Sequence, residues 1–118
     1  MICNLMEPIL TKVFIIPFHV RRLDISIMPA GFSGGYVSCY SPGNDYVEAT
    51  KKALGKLAED GLNPEEILQP IHEIDTKNWS RHISEQWPDQ ADSLLDQDEF
   101  EKEMASGHVV YGPFGSYT

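Results

Sequence analysis

The chain changes character at Gly43, and that change limits the folds open to it. Residues 1–43 set Glu7 and Asp24 against Lys12, Arg21 and Arg22, a net of +1, and are rich in β-branched and aromatic side chains punctuated by Gly and Pro. Residues 44–118 hold the other 16 acidic side chains against 6 basic ones, a net of −10, with polar and apolar residues alternating at helical spacing. Strand-forming sequence followed by helix-forming sequence is the pattern of an α+β domain rather than of repeated βα units. At 118 residues, with no internal repeat or linker, the chain reads as a single domain over 1–118.

Lys12–Val20 predicts a first strand, which Pro17 pushes toward a sheet edge or a bulge because it lacks an N–H. Leu23, Ile25 and Ile27 alternate with Asp24, Ser26 and Met28, the period of a half-buried second strand. The stretch from Pro29 to Gly35 predicts a turn, Tyr36–Tyr40 its returning strand, and Ser41-Pro42-Gly43 the close of the hairpin. A helix follows, capped by Asn44 or Asp45 and ended at Gly61. Its apolar stripe is Val47, Thr50, Ala53, Leu54, Leu57 and Ala58, with Glu48 and Lys52 as an outward i,i+4 pair.

Glu66–Ile74 suits a strand or a short helix, and Pro70 favours the strand. A second helix, capped by Asp75 or Thr76, sets Trp79, Ile83 and Trp87 four residues apart and stops at Pro88. A third starts from the capping-box pattern Asp96-Gln97-Asp98-Glu99 and ends at Gly107. His108–Tyr117 is a last strand, interrupted by Gly112-Pro113. The expected order is β-β-β-α-β-α-α-β, a mostly antiparallel sheet of about five strands with about three helices. The expected core is Phe14, Ile16, Ile25, Ile27, Val37, Cys39, Leu54, Leu57, Ile71 and Trp79.

A formal net charge of −9 argues against a nucleic-acid binder, since phosphate contacts need clustered Lys and Arg. The longest apolar run lies within Val13–Phe18, well short of the roughly 20 residues of a membrane-spanning helix, so no membrane partner is expected. The N-terminus has no basic segment, and Pro8 and Lys12 interrupt its apolar stretch, so it does not read as a signal peptide. A cytoplasmic location in a bacterium or similar cell follows, with Cys3 and Cys39 as reduced thiols. Met6 offers an alternative start, leaving residues 1–5 as a disordered prefix, and residues 1–8 are expected to be disordered.

No sequence motif commits the chain to catalysis, a cofactor or a metal. Gly31-Phe32-Ser33-Gly34-Gly35 matches the string around the nucleophile of chymotrypsin-like proteases, but Ser33 precedes His72, His82 and His108, and a hairpin turn is the better reading. His19, His72 and His108 fall on expected strands, where with Tyr36 they form a candidate pocket set. Cys39 reads as a small buried hydrophobe, with a nucleophile paired to His72 as the lesser alternative. Trp79 reads as core, while Trp87, at the end of its helix, reads equally as core or as a surface anchor.

Between Glu85 and Glu103 lie eight carboxylates opposed only by Lys102, a net of −7. A solvated helix face is the plain reading, a surface steering a basic partner the next, and a calcium loop starting at Asp96 the weakest. The partner reading rests on Trp87, Asp92, Asp96 and Glu99.

The whole-chain order resembles two groups of small acidic bacterial orphan proteins. Its marks are Asp75, Trp79 and Trp87 in mid-chain and Val109-Val110-Tyr111-Gly112-Pro113-Phe114 near the end. The groups are the mobile-gene products of integron cassettes and the immunity proteins that neutralise polymorphic toxins. The leading expectation is a non-enzymatic cytoplasmic domain that binds a protein, a basic one, with acidic segment 85–103 and Trp87 as the contact. The alternative is a small-molecule binding protein or enzyme with a pocket between sheet and helices. Pro17 in the first strand and the apolar Gly112–Tyr117 tail further suggest a homodimer.

Overall fold

β1 (Lys12–Arg22) is apolar on both sides, and each side recruits a different set of helices. The computed structural model describes residues 12–118, so both candidate starts, Cys3 and the expected disorder at residues 1–8 lie outside the described residues. Pleating sends Phe14, Ile16, Phe18 and Val20 to one face and Val13, Ile15, Pro17, His19 and Arg21 to the other. β2 (Gly34–Gly43) runs antiparallel beside it, with Lys12 opposite Gly43 and Arg21 opposite Gly34.

α1 (Tyr46–Glu59) covers the first face, packing Ala49, Ala53 and Leu57 on Phe14, Ile16, Phe18, Val20, Val37 and Cys39. Asp45 caps it by accepting from the Glu48 N–H, and the buried Ser41 hydroxyl donates to the Ala49 carbonyl at 2.7 Å, tying β2 to the first turn. β3 (Leu62–Ile67) and β4 (His72–Ile74) share the outer side of β1, β3 along Phe18–Arg22 and β4 along Val13–Ile15. A short turn at Thr76–Asn78 leads into α2 (Trp79–Gln86), and another at Ala91–Ser93 precedes α3 (Gln97–Ala105). β5 (Val110–Tyr111) and β6 (Gly115–Tyr117) share the outer side of β2, at Cys39–Tyr40 and Gly34–Tyr36.

The fold is α+β, a six-stranded antiparallel sheet with three helices among the described residues. Its order is β-β-α-β-β-α-α-β-β, because Glu66–Ile74 divides between β3 and β4 and the last strand between β5 and β6. Among the described residues no helix is long and apolar enough to cross a membrane.

Leu23–Met28 is not a strand. β1 already has partners on both sides, so this segment leaves the sheet and docks on the end of α1. Leu23 N–H donates to the Gly61 carbonyl and Ile27 N–H to the Asp60 carbonyl, while the Arg22 guanidinium closes the loop on the Met28 carbonyl. Gly61 has φ of 74°, and a Cβ there would meet the Ile25 carbonyl, so the docking requires glycine. Ile25 and Ile27, expected in the core, are 91% and 55% exposed. The hairpin forms between β1 and β2 instead, and Ser41-Pro42-Gly43 extends β2 rather than closing it.

The phase of α1 also differs from expectation. The small Ala49 and Ala53 bring the helix close to the sheet, which turns Val47 and Ala58 outward, and Glu48 accepts from the Asn44 N–H instead of pairing with Lys52. The two features behind the dimer expectation are met within the chain, since Pro17 lies in a central strand and Gly115–Tyr117 pairs with β2.

Leu57, on the sheet-facing side of α1, is fully buried, so Leu57→Ala should cost roughly 2–5 kcal/mol in urea unfolding. Ile25→Ser should stay within about 0.5 kcal/mol of the parent, as an exposed loop position does. A cost at Ile25 matching that at Leu57 would contradict the loop assignment.

Candidate functional site

Both outer rows of the sheet are broken, and the breaks fall at one register. Between β3 and β4 the chain steps away at Leu68, whose N–H donates to the Pro17 carbonyl at 2.8 Å. Between β5 and β6 it steps away at Gly112, whose N–H donates to the Ser38 carbonyl at 2.8 Å. Pro17 and Ser38 are partners in the β1–β2 ladder. The N–H and C=O of an antiparallel residue face the same neighbour. The ring nitrogen of Pro17 therefore faces the break, where its missing N–H leaves no bond unmade. This corrects the expected edge position: β1 is central, and the neighbouring row gives way to the proline.

Among the described residues, the second face of the sheet is covered over only part of its length. There α2 and α3 bring Trp79, Ile83, Phe100 and Met104 onto Val13, Tyr40 and Val110. Trp79 and Phe100 stack with centroids 4.0 Å apart and planes at 1°, and Tyr40 meets them edge-on at 4.9 and 6.1 Å. The Trp79 indole N–H donates to the Leu95 carbonyl at 2.7 Å. The buried Tyr40 hydroxyl lies 2.6 Å from His82 Nε2. Desolvation holds the pKa of His82 below its ordinary value and raises that of Tyr40, which favours the neutral form of both groups in this hydrogen bond.

Trp87 follows α2 and stands at the margin of this cluster, edge-on to His82 at 5.7 Å and to Tyr40 at 6.2 Å. Gly112 makes room for it, since a Cβ there would lie 3.1 Å from Trp87 Cη2 and 3.4 Å from Tyr40 Cε1. Among the described residues, nothing else packs over the rest of this face. A depression of about 260 Å³ crosses it along the Pro17–Ser38 row, flanked by Trp87 and Tyr36, with Leu68 and Pro113 from the two broken rows.

Beyond Tyr36, His19 stacks on it at 4.8 Å and is hydrogen-bonded through Nε2 to the Tyr117 hydroxyl at 2.6 Å. Arg21 Nε reaches Glu65 Oε2 at 3.3 Å. Glu65 also accepts from the Asn63 amide, which chiefly holds its carboxyl below the usual carboxylate range, with help from Arg21. Glu66 lies opposite His19 in the β1–β3 register.

Of the four pocket candidates, the structure joins His19 and Tyr36 and separates the other two. His72 is exposed on β4 opposite Ile15. His108 lies in the coil before β5, not on a strand, with Nδ1 3.3 Å from Glu103 Oε1 at the end of α3. Cys39 faces α1, on the opposite side of the sheet from Ile15 and His72, and burial pushes its thiol up to about 12, so it is no nucleophile for a His72 base. The Ser33 hydroxyl donates to the Thr118 carbonyl at the foot of the turn.

Trp87 is partly buried, and Asp92, Asp96 and Glu99 are exposed. Asp96 and Glu99 form the reciprocal capping box of α3, so Asp96 starts a helix rather than a calcium loop. Sequence reasoning missed Tyr40, His82, Leu68 and Tyr117. His82 had a signal, three residues after Trp79 and so on the same side of α2; the register that brings Tyr117 to His19 had none. No family model matches the chain, and neither a curated protein nor a solved structure matches it.

Because folding favours neutral His82, this group stabilises the protein fully above the ordinary histidine value of about 6.5, and the contribution is lost as pH falls through the lower folded value. His82 should therefore titrate below about 6.5 by NMR. Between about pH 7 and pH 5 the His82→Gln protein should lose less stability than the parent. Equal losses would remove His82 from the account. Tyr40→Phe, which leaves Nε2 unpaired, should cost about 1 kcal/mol.

Proposed function

We propose that the chain is a non-enzymatic protein-binding domain that meets a basic partner through the open part of the sheet's second face and the acidic segment 85–103. The observation that carries this reading is the depression between the partly buried Trp87 and the exposed Tyr36, an aromatic surface at the edge of a packed cluster. Contiguous exposed apolar surface with a polar rim is characteristic of interaction sites, and Trp and Tyr are favoured anchors. Segment 85–103, with a net of −7, supplies the steering field. Asp92 is free to contribute its charge, while Asp96 and Glu99 stay exposed as they cap α3.

This reading agrees with the resemblance to bacterial integron-cassette and toxin-immunity proteins, and with a reducing, cytoplasmic setting for the buried thiol of Cys39. A second reading, a small-molecule binder or enzyme, draws on the hydrogen-bonded His19–Tyr117 pair stacked beside Tyr36. Size weighs against it, because about 260 Å³ falls below the roughly 300–1,000 Å³ of small-molecule sites.

The test immobilises the chain, exposes it to extract of the source cell at low and high salt, and identifies what is retained. A basic protein should bind at low salt and be lost with Trp87→Ala. Asp92→Asn, Asp96→Asn and Glu99→Gln together should slow its association by about tenfold and flatten the salt dependence. Stability should hold, since Asn caps a helix as well as Asp. Association unchanged at low salt would return the segment to a plain solvated face.

A further inference from the structure

The depression has a direction as well as a lining. It crosses the strands, because it is made by two chain breaks at one register on opposite sides of the β1–β2 ladder. From the Leu68 break to the Pro113 break it spans four rows of the sheet. At about 4.8 Å between rows, that is about 14 Å. Pro17 and Ser38 line its middle, with Tyr36 two residues before Ser38 on one side and Trp87, set against Tyr40 two residues after Ser38, on the other.

We infer, on the basis of the protein-binding reading above, that this trough receives an extended, proline-containing segment of the partner, carrying Arg or Lys at the Leu68 end. A polyproline II segment rises about 3.1 Å per residue, so four or five residues fill the four rows. Such a segment has no internal hydrogen bonds and little conformational freedom left to lose, and aromatic-lined grooves are the surfaces that bind it. A β-strand added by backbone pairing would run along a sheet edge, whereas this trough runs across the strands.

Charge sets the polarity. Of the basic groups that β1 puts on this face, Arg21 is paired with Glu65 and His19 is hydrogen-bonded to the Tyr117 hydroxyl. Glu66 lies two residues before Leu68 and on the same face as His19, exposed and without an ion-pair partner among the described residues. The Leu68 end of the trough is therefore acidic, and a cation on the incoming segment complements it.

Three synthetic peptides of equal length test the assignment: an Arg-Ala-Pro-Pro-Leu-Pro-Ala sequence, the same sequence with every Pro replaced by Gly, and the same sequence with Arg replaced by Glu. Titration calorimetry gives affinities, and backbone amide shifts locate the site. The first peptide should bind and shift Tyr36, Ser38, Leu68 and Gly112. The glycine and glutamate versions should each bind about tenfold more weakly or worse, a difference of about 1.4 kcal/mol. Tyr36→Ala and, independently, Leu68→Ala should weaken the first peptide with the amide spectrum otherwise native, and Glu66→Gln should weaken it only at low salt.

Equal binding of the proline and glycine peptides overturns the inference, as does a shift pattern away from the trough. If no peptide binds while partner capture still depends on Trp87 and the acidic segment, the proline assignment is wrong and the protein-binding reading stands. If capture is insensitive to both, that reading has itself failed.

Discussion

The Tyr40 hydroxyl is buried, and leaving it without a hydrogen-bond partner would cost on the order of 1–3 kcal/mol. The chain meets that constraint with His82, and the solution organises the second face of the sheet. To bring Nε2 within 2.6 Å of the phenol, α2 has to cross above Tyr40, which carries Trp79 into the core. Trp79 then stacks on Phe100 and so fixes α3, an arrangement worth about 0.5–1.5 kcal/mol per ring pair beyond the area it buries. Trp87, one residue past the end of the same helix, is left against Gly112 with the open part of the sheet beside it.

The two faces are closed by different means, and the difference positions the candidate site. On the first face, Ala49 and Ala53 let α1 lie close to the sheet, and its stripe covers β1 from Phe14 to Val20. On the second face, α2 and α3 are short and occupy only the Val13–Tyr40 end. The remainder carries Pro17, Ser38, His19 and Tyr36, residues that can face water or a partner. Pro17 adds a further condition, because a strand beside it would find no N–H to pair with. The chain answers with the break at Leu68, and the break at Gly112 across the ladder turns a local gap into a trough.

How much of this was legible in the sequence depended on the range of the interaction. Asp45 and Asp96 were recognisable as caps because capping is a contact over three residues, and both accept the expected N–H. Trp79 and Ile83 were recognisable as a buried face from their spacing alone. Leu23, Ile25 and Ile27 show the same kind of local signal and misled, because alternation cannot reveal that both neighbours of β1 are already occupied. For the candidate site, the pairing of His19 with Tyr36 came from strand register, which also separated them from His72 and His108. Tyr40 and His82 stand 42 residues apart, and no local period connects them.

The central claim is that the aromatic cluster seals one end of the second face and leaves Trp87 at the edge of an open surface. The chain has two tryptophans, one on each side of that boundary. Fluorine NMR of the fluorotryptophan-labelled protein, with a soluble nitroxide added, reads the boundary directly. Trp79 should keep a sharp resonance, and Trp87, assigned by its loss in Trp87→Phe, should broaden strongly at the same nitroxide concentration. Equal broadening of the two, or a Trp87 signal as protected as that of Trp79, would contradict the account.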